Sequence, residues 1–292
     1  MKAVTRLNLQ AGFVSVAILL LLLAAWHFAT LPAAGGVAAS GLTPEQIEYQ
    51  KMLGKDPAVN AGAKANNGFP TLTQMRQTVV KNLASPFYDN GPNDKGIGIQ
   101  LGHSLLRVAL GFGIAALVAI PLGFVIGMSP LMYRALDPFI QLLKPISPLA
   151  WMPLALYTIK DSSISGIFVI FICSVWPMLL NTAFGVAGVR REWLNVAKTL
   201  EVTPLRKAFE VILPAAAPTI VTGMRISMGI AWLVIVAAEM LVGGTGIGYF
   251  VWNEWNNLSL TNVIFAILVI GIVGMALDLL FARLQKAISY VD

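Results

Sequence analysis

Charged side chains inside apolar segments are the residues of this chain most able to carry chemistry. Arg107, Arg225 and Glu239 each lie within a long apolar run, and His103 lies one helical turn before Arg107. A charge at the centre of a membrane costs about 2.5–3.5 kcal/mol or more, so such residues line a path for a polar solute or pair with one another. These four positions are the candidate substrate path. Two further charges inside apolar segments are Lys144 and Asp278.

The sequence lacks the residue clusters that metal-dependent or covalent catalysis requires. It contains one cysteine, Cys173, and two histidines, His27 and His103, which are far apart. These counts exclude a disulfide framework or a cysteine-based metal site within the chain. A Gly-x-x-x-x-Gly-Lys-Ser/Thr phosphate loop is also missing, so ATP chemistry would have to come from another polypeptide. We predict that the chain is not an enzyme and holds no catalytic residue, metal or cofactor of its own.

The composition is typical of a membrane protein. Of the 292 residues, 57% are hydrophobic and only 12% are charged, and the mean hydropathy is +0.75. Soluble domains carry about 25% charged residues. The net charge of +6 is modest, and the sequence has no water-exposed basic domain of the kind that binds nucleic acid. The elements that position the charged residues are therefore expected to lie in a lipid bilayer.

Several apolar segments are long enough to cross that bilayer. A helix needs about 20 apolar residues to span the hydrocarbon core, and helices are expected because an open strand would leave its backbone unpaired in lipid. The segments are 9–31, 101–127, 137–158, 164–187, 217–242 and 262–284. The third is expected to be kinked or broken, because it contains Pro138, Pro145, Pro148 and Pro153. The sequence thus predicts an all-α integral membrane protein with about six transmembrane helices.

The start of the chain predicts a retained membrane anchor in residues 1–34. Lys2 and Arg6 precede an apolar run from Ala11 to Leu31, and this run is longer than the roughly 7–15 residues of a signal-peptide core. The rest of the chain is expected to divide into a polar extension, residues 35–98, and a transmembrane domain, residues 99–288.

Basic residues predict how the spans are oriented. Loops rich in Lys and Arg stay on the cytoplasmic side; loop 188–216 carries five of them, whereas loop 243–261 has none. Both termini are therefore expected in the cytoplasm of a bacterial inner (plasma) membrane, with the polar extension in the periplasm. Within that extension, residues 43–54 and 71–84 have patterns typical of short amphipathic helices.

A polar, amphipathic loop separates the fourth and fifth spans. Residues 192–200 place Leu194, Ala197 and Leu200 at helical spacing. Pro204 is expected to begin a second helix that ends at Leu213-Pro214. Two short helices at an angle would form a compact projection, residues 192–214, which we call the knob. A projection of this kind can act as a lever if it seats in a groove of a cytoplasmic partner.

The loop resembles the cytoplasmic coupling loop of ABC-importer permeases. The family signature is Glu-Ala-Ala, then a glycine, then a hydrophobic-Leu-Pro ending, and the matching positions here are Asn195–Ala197, Glu201 and Ile212–Pro214. The first position has Asn where the family has Glu. The second has Glu where the family has Gly, which predicts a different bend or cap between the two helices. Both departures, with the segments Ser147–Pro153 and Asp89–Gly98, resemble the subgroup that imports nitrate, nitrite, bicarbonate or cyanate.

This resemblance implies a type I ABC importer permease that works as a homodimer. It also implies two cytoplasmic ATPase subunits, which bind ATP and Mg²⁺, and a periplasmic or lipid-anchored binding protein that delivers the substrate. The implied cargo is a small oxyanion, nitrate or nitrite, moved by alternating access, with bicarbonate, cyanate or an organosulfonate as alternatives. The coupling loop, residues 188–218, is implied to couple to the ATPase through Glu192, Asn195, Val196, Ala197, Leu200, Glu201, Leu213 and Pro214.

An oxyanion path would assign roles to the charged residues. Arg107 and Arg225 either line the path or hold helices together. Glu239 is expected to be structural or gating, because a carboxylate repels an anion, and His103 is expected to lie at the membrane interface. The resemblance implies that loop 243–261 forms part of the outer gate. Two other classes stay open: a passive channel, which would not need the knob, and a membrane-embedded enzyme, which would need clustered catalytic groups.

Overall fold

The computed structural model describes residues 2–30, 69–91 and 93–288. Over this part of the chain the regular structure is helical, and the only strand-like pairing is one isolated bridge between Asp89 and Lys95. The helices are α1 Lys2–Ala29, α2 Leu72–Ala84, α3 Ile97–Met128, α4 Pro130–Leu143, α5 Pro148–Ile159, α6 Ser162–Ala187, α7 Arg191–Thr199, α8 Pro204–Lys207, α9 Leu213–Val242, α10 Ile247–Asn256 and α11 Leu260–Ile288. The all-α prediction is confirmed.

Five helical stretches among the described residues are long and apolar enough to cross a membrane, and the bent pair of α4 and α5 makes a sixth if it counts as one span. The two helices of this pair meet at 89°, as the prolines of the third predicted span led us to expect. Pro148 opens α5, and Ser147 before it has extended backbone with ψ 135°. Because a residue that precedes proline is pushed out of the helical region, α4 cannot continue directly into α5.

The chain divides into two compact units, and the first comprises Met1–Ala84 with Leu258–Phe265. Its helix α1 is exposed along its apolar length, as a helix that faces lipid would be. The Trp26 indole donates a hydrogen bond to the Pro70 carbonyl at 2.9 Å. Helix α2 matches the amphipathic helix predicted at 71–84, whereas the one predicted at 43–54 lies outside the described residues. The boundaries 1–34, 35–98 and 99–288 stay predictions.

The second unit comprises Ser85–Asn257 with Ala266–Asp292. Helix α6 lies at its centre and packs against α3 on one side and α9 on the other. Close approach depends on small residues: a methyl group at Gly111 would overlap Ile170, and one at Gly123 would overlap the Leu179 carbonyl. Such glycines allow transmembrane backbones to come together. They hold α3 against α6 along much of its length, which fixes the frame for the charged residues.

The second helix of the knob does not end where the sequence predicts. The chain begins a helix at Pro204 but then continues through a π-helical turn, Ala208–Ile212, directly into α9. In this wide turn the Leu213 N–H donates to the Ala208 carbonyl, five residues back. The turn shifts the hydrogen-bond register immediately before Pro214, which has no N–H to donate. The prediction of a stop at Leu213-Pro214 is therefore wrong, and the knob is continuous with a transmembrane helix.

Candidate functional site

A buried ion pair joins α3 to α9 near one end of the second unit. The Arg107 Nη1 atom donates to Glu239 Oε1 at 2.8 Å and to the Thr245 carbonyl at 2.7 Å. Its Nε atom donates to Ser163 Oγ at 3.0 Å. The Arg107 side chain is 12% exposed and that of Glu239 is 4% exposed. One guanidinium therefore ties together α3, α6, α9 and the turn that follows α9.

Further hydrogen bonds complete this network around the Glu239 carboxylate. Ser104 Oγ donates to it at 2.8 Å, and the Gly248 N–H donates to it at 3.0 Å. Ser104 Oγ in turn accepts a bond from the Ile247 N–H at 2.9 Å, and Gln100 Oε1 accepts one from the Gly246 N–H at 2.6 Å. A buried polar network with its groups satisfied is rigid and specific. We call these residues the latch network: Gln100, Ser104, Arg107, Ser163, Glu239 and the backbone of 245–248.

The latch network fixes the turn between α9 and α10. Gly243 and Gly244 adopt φ values of +80° and +91°, a backbone conformation that glycine reaches without a steric penalty. The turn then folds back so that its N–H groups meet the side chains of α3. The cavity beside Arg107 and Glu239 measures only about 10 Å³, which is about the space of one water molecule. Sequence reasoning did not find Gln100, Ser104 and Ser163, which are small or neutral residues in apolar helices.

Substituting Gly248 by alanine tests this close approach. The added methyl group would overlap the Val236 carbonyl and the Glu239 side chain, so we expect the free energy of unfolding to fall by about 1–3 kcal/mol. Gly229→Ala is the matched control, because no atom lies within 4 Å of its new methyl group. Thermal unfolding of the purified protein in detergent measures both. Equal melting temperatures for the two variants would contradict the packing described here.

Arg225 has a carboxylate partner of its own. Its Nε and Nη2 atoms donate to the two carboxylate oxygens of Asp278, each at 2.6 Å. The side chains are 37% and 51% exposed, and they lie on the wall of a cavity of about 480 Å³ between α9 and α11. His103 is exposed on α3 and takes no part in the latch network. The structure thus joins Arg107 with Glu239, places Arg225 in a separate pair, and leaves His103 outside both.

A turn-rich segment before α3 contacts α10 close to the latch network. The Gly96 N–H donates to the Tyr88 carbonyl at 2.7 Å, and the Tyr249 hydroxyl donates to Asn93 Oδ1 at 2.8 Å. The Lys95 ammonium donates to Asp89 at 2.6 Å and holds the pKa of that carboxyl below its usual range. These contacts place the predicted subgroup segment 89–98 against the loop that was predicted as part of the outer gate.

The inner face of the knob packs onto the ends of the membrane helices. Ala197 is buried, and Leu194 packs against a hydrophobic cluster that includes Val186, Ile212 and Ala216. Because this cluster joins α6 to α9, α7 packs against both helices through it. Leu200 was grouped with Leu194 and Ala197 by its spacing, but it lies on the opposite, exposed side.

The outer face of the knob is apolar and open. Leu200 is 70% exposed, and it lines a groove of about 530 Å³ with Val196 and the paired residues Arg206 and Glu210. Exposed apolar patches rimmed by charges mark docking surfaces. The exposed large apolar side chains of this face, which we call the outer knob face, are Trp193, Val196, Leu200, Leu205 and Phe209. Of these, Trp193, Leu205 and Phe209 were not among the predicted coupling residues, although apolar residues in a charged loop are a signal.

The predicted coupling residues therefore divide between two surfaces. Ala197 and Leu213 lie on the packed side, and the remaining six, Glu192, Asn195, Val196, Leu200, Glu201 and Pro214, are exposed. This division separates residues that pack against the membrane helices from residues that are exposed.

Glu201 forms the turn between α7 and α8 in the left-handed conformation, with φ +48°. The Glu201 N–H donates to the Lys198 carbonyl, and the Val202 N–H donates to the Ala197 carbonyl. These two bonds make a Schellman motif, the helix ending that normally has glycine at this position. Glu201 therefore adopts the conformation that glycine favours, and the different bend or cap relative to the family stays a prediction.

Glu201→Gly is expected to raise the free energy of unfolding by about 1 kcal/mol, because it removes the left-handed penalty of a residue with a Cβ atom. Thr199→Gly, two residues earlier and inside α7, should instead lower it by about 0.5–1 kcal/mol. Chemical denaturation monitored by tryptophan fluorescence can compare them. A loss of stability in the Glu201→Gly variant would show that the side chain of Glu201 stabilises the turn.

Comparison with known proteins adds an independent line of evidence. The family described as "Binding-protein-dependent transport system inner membrane component" matches residues 119–290. The nitrate import permease protein NrtB of Synechocystis sp. is 45% identical over 222 residues, which cover 76% of this chain and 81% of that protein. The bicarbonate transport system permease protein CmpB of the same organism is 45% identical over 208 residues, covering 71% of this chain and 74% of that protein.

Solved structures share the fold. A chain from the inward-facing conformations of the MetNI methionine ABC transporter aligns with a TM-score of 0.57, covering 65% of this chain and 94% of that one. At 14% identity this likeness concerns the fold alone.

Proposed function

Because the chain belongs to the family of binding-protein-dependent transport system inner membrane components, we propose that it carries nitrate or nitrite inward as the permease of an ATP-driven importer. As a member, it is a multi-pass inner-membrane transport subunit that works with ATPase and substrate-binding partners. The observation that carries the proposed cargo is the 45% identity to a nitrate import permease over 76% of the chain. The segments Ser147–Pro153 and Asp89–Gly98, which resemble the nitrate-type subgroup, support the same cargo.

Bicarbonate is the second candidate cargo. A bicarbonate transport permease has the same 45% identity over a comparable part of the chain. Nitrate and bicarbonate are both small, planar monoanions with three oxygen atoms. A shared permease architecture therefore suits either ion, and the binding protein is expected to make much of the selection.

The proposed complex contains two copies of this chain and two ATPase subunits, with each outer knob face seated in one ATPase. The knob then lies in the cytoplasm together with both termini, and the latch network lies toward the periplasm, where the binding protein delivers its cargo. The basic residues of the loop support this orientation under the positive-inside rule. They are Arg190, Arg191, Lys198, Arg206 and Lys207.

Helix α9 is proposed to transmit the movement of the ATPase. ATP binding would draw the two ATPases together and move the knob as a rigid body. The knob is continuous with α9, whose 30 residues extend about 45 Å at about 1.5 Å per residue. Glu239 lies near the far end of α9, so a tilt of this helix would displace the latch network and the 243–246 turn. The path would open outward for the anion, and hydrolysis would return it to the inward-facing state.

The cargo is tested with the complete complex, reconstituted with its binding protein and assayed for stimulation of ATP hydrolysis. Nitrate, nitrite, bicarbonate and cyanate are supplied separately at equal ionic strength. Stimulation by nitrate or nitrite alone supports the proposal. Stimulation by bicarbonate alone would replace the proposed cargo, and failure of the chain to copurify with an ATPase would reject the importer.

A further inference from the structure

Five cavities in the second unit each have an arginine or lysine on their wall, and they differ in whether an Asp or Glu lies on the same wall. Three contain an arginine together with its own ion-pair partner. These pairs are Arg107 with Glu239, Arg225 with Asp278, and Arg206 with Glu210. Two other cavities contain cations and have no Asp or Glu among the described residues that line them. Both of these cavities share one residue, Lys144.

Lys144 lies at the break between α4 and α5. It caps the end of α4, with its N–H donating to the Ile140 carbonyl, and the chain turns by 89° immediately afterwards. No ion pair of the Lys144 ammonium is found in the part of the chain that the structure describes. Within the apolar spans, the arginines that sequence reasoning chose for the path are neutralised. Lys144 has no such carboxylate partner among the described residues.

The wall of the smaller cavity includes several side chains that can donate hydrogen bonds, among apolar residues. Its volume is about 260 Å³, and its wall includes Lys144, Ser147, Trp151, Cys173 and Trp176. Both indole rings are partly buried. Within the described residues, neither indole N–H has an acceptor, although the indoles of Trp26 and Trp232 donate to backbone carbonyls. An indole N–H can donate but cannot accept, so this wall places unpaired donors beside Lys144, and no Asp or Glu is among the described residues that line it.

We propose that Lys144, together with the indole N–H groups of Trp151 and Trp176, binds the transported oxyanion in this cavity. This inference rests on the proposed function and names the contacts within the path. Nitrate has three oxygen atoms that accept hydrogen bonds, and the residues that line the cavity carry one ammonium and two indole N–H groups. Because the cavity contains one ammonium and no second cation among its described lining, it is expected to bind an anion with moderate affinity. Passage through a membrane requires binding of this moderate strength.

The second cavity extends the site along the same wall. It has a volume of about 600 Å³ and is lined by Lys144, Arg134, Tyr133 and Asn181 among apolar residues of α3 and α6. Arg134 follows the end of α3 in the chain, and that end of α3 is also where α6 leads into the knob. An anion released from the first cavity can therefore move past Lys144 toward Arg134 without meeting a carboxylate of the described lining.

Lys144→Gln tests the site by removal of the charge with little change in length. We expect the rate of nitrate uptake into proteoliposomes to fall at least 10-fold, while the complex still assembles. Lys160→Gln is the matched control, because this exposed lysine at the other end of α5 undergoes the same substitution. The rate of nitrate uptake by Lys160→Gln should stay within twofold of the wild-type rate. Lys144→Arg keeps the charge and should recover most of the loss.

The outcomes separate this inference from the proposed function. If the wild-type complex transports neither nitrate nor nitrite, the proposed function fails. If the wild type transports nitrate or nitrite and the uptake rate of Lys144→Gln equals that of Lys160→Gln, the function stands and the Lys144 site is overturned. The site would also be overturned if Lys144→Gln lowered nitrate uptake but Lys144→Met, which is equally neutral, transported nitrate at the wild-type rate. That result would show that the side chain of Lys144 matters for packing and not for its charge.

Cys173 provides a second readout that does not depend on transport rate. It is the only cysteine of the chain and lines the cavity with Lys144. A small anionic methanethiosulfonate reagent should modify it in the cycling complex, as measured by the intact mass of this chain. Nitrate should slow the modification several-fold in the wild type and in Lys160→Gln, but not in Lys144→Gln. Modification at the same rate with and without nitrate in the wild type, or no modification in any state, would contradict the site.

Discussion

Glu239→Ala is expected to lower the free energy of unfolding by about 3–5 kcal/mol. The substitution leaves the Arg107 guanidinium buried without its counter-charge, and breaking a buried, hydrogen-bonded pair has a cost of this size. It also removes the acceptor of the Ser104 hydroxyl and the Gly248 N–H, so several groups lose their partner together. Thermal unfolding of the purified chain, with the expressed and folded fraction recorded, measures the effect.

Asp278→Ala is the matched control for this prediction. It also removes a carboxylate that pairs with an arginine between two membrane helices, but its pair is far more exposed than that of Glu239. Because the Arg225–Asp278 pair lies on the open wall of a cavity and is less enclosed by protein, we expect a smaller loss of stability than for Glu239→Ala. A loss of similar size in the two variants would show that burial does not set the strength of the latch network.

Leu200→Glu on the outer knob face is expected to weaken binding of the ATPase at least 30-fold, while the permease keeps its fold. Leu200 is 70% exposed, so a charge is tolerated in the free chain but would be buried in the interface. Loss of an apolar anchor at the centre of an interface costs about 2 kcal/mol or more, which is roughly 30-fold in Kd. Titration of the purified ATPase against the permease in nanodiscs measures the change.

Phe87→Glu serves as the control for the knob, because Phe87 is similarly exposed, at 73%, and lies in the turn-rich segment before α3. It should leave ATPase affinity unchanged. If Leu200→Glu kept full affinity for the ATPase, or if both variants lost affinity equally, the outer knob face would not be the surface that binds the ATPase.

The membrane helices could be predicted from the sequence because their cause is local. An apolar run of about 20 residues has to form a helix in lipid, and the spans found here follow the predicted segments. The break in the third span could be predicted for the same reason. Pro148 restricts the residue before it, whatever the surrounding structure is.

Partners of the charged residues could not be predicted, because they are set by tertiary packing. Arg107 and Glu239 are 132 positions apart, and Arg225 and Asp278 are 53 apart. Each charge is visible in the sequence, but whether it is neutralised depends on which helices meet. Because Arg107 and Arg225 have carboxylate partners, the proposed anion contact is Lys144 instead. In the sequence, Lys144 is visible only as a charge within an apolar segment.

The knob contains both kinds of feature: some could be predicted from the local sequence, and others could not. Helix α7 and the start at Pro204 follow from helical spacing and from the preference of proline for a first turn. The π-helical turn does not, because Leu213-Pro214 reads locally as a helix end. The packed and exposed sides of α7 were also divided wrongly at Leu200, since spacing identifies an apolar face but not the surface that covers it.

The most direct test of the account is uptake of ¹⁵N-labelled nitrate into proteoliposomes that contain the permease, its ATPase and its binding protein. We expect accumulation that requires ATP hydrolysis and the binding protein, and that is lost when Leu200→Glu uncouples the knob. Nitrate entry that is equally fast without ATP would identify a passive channel and contradict the account.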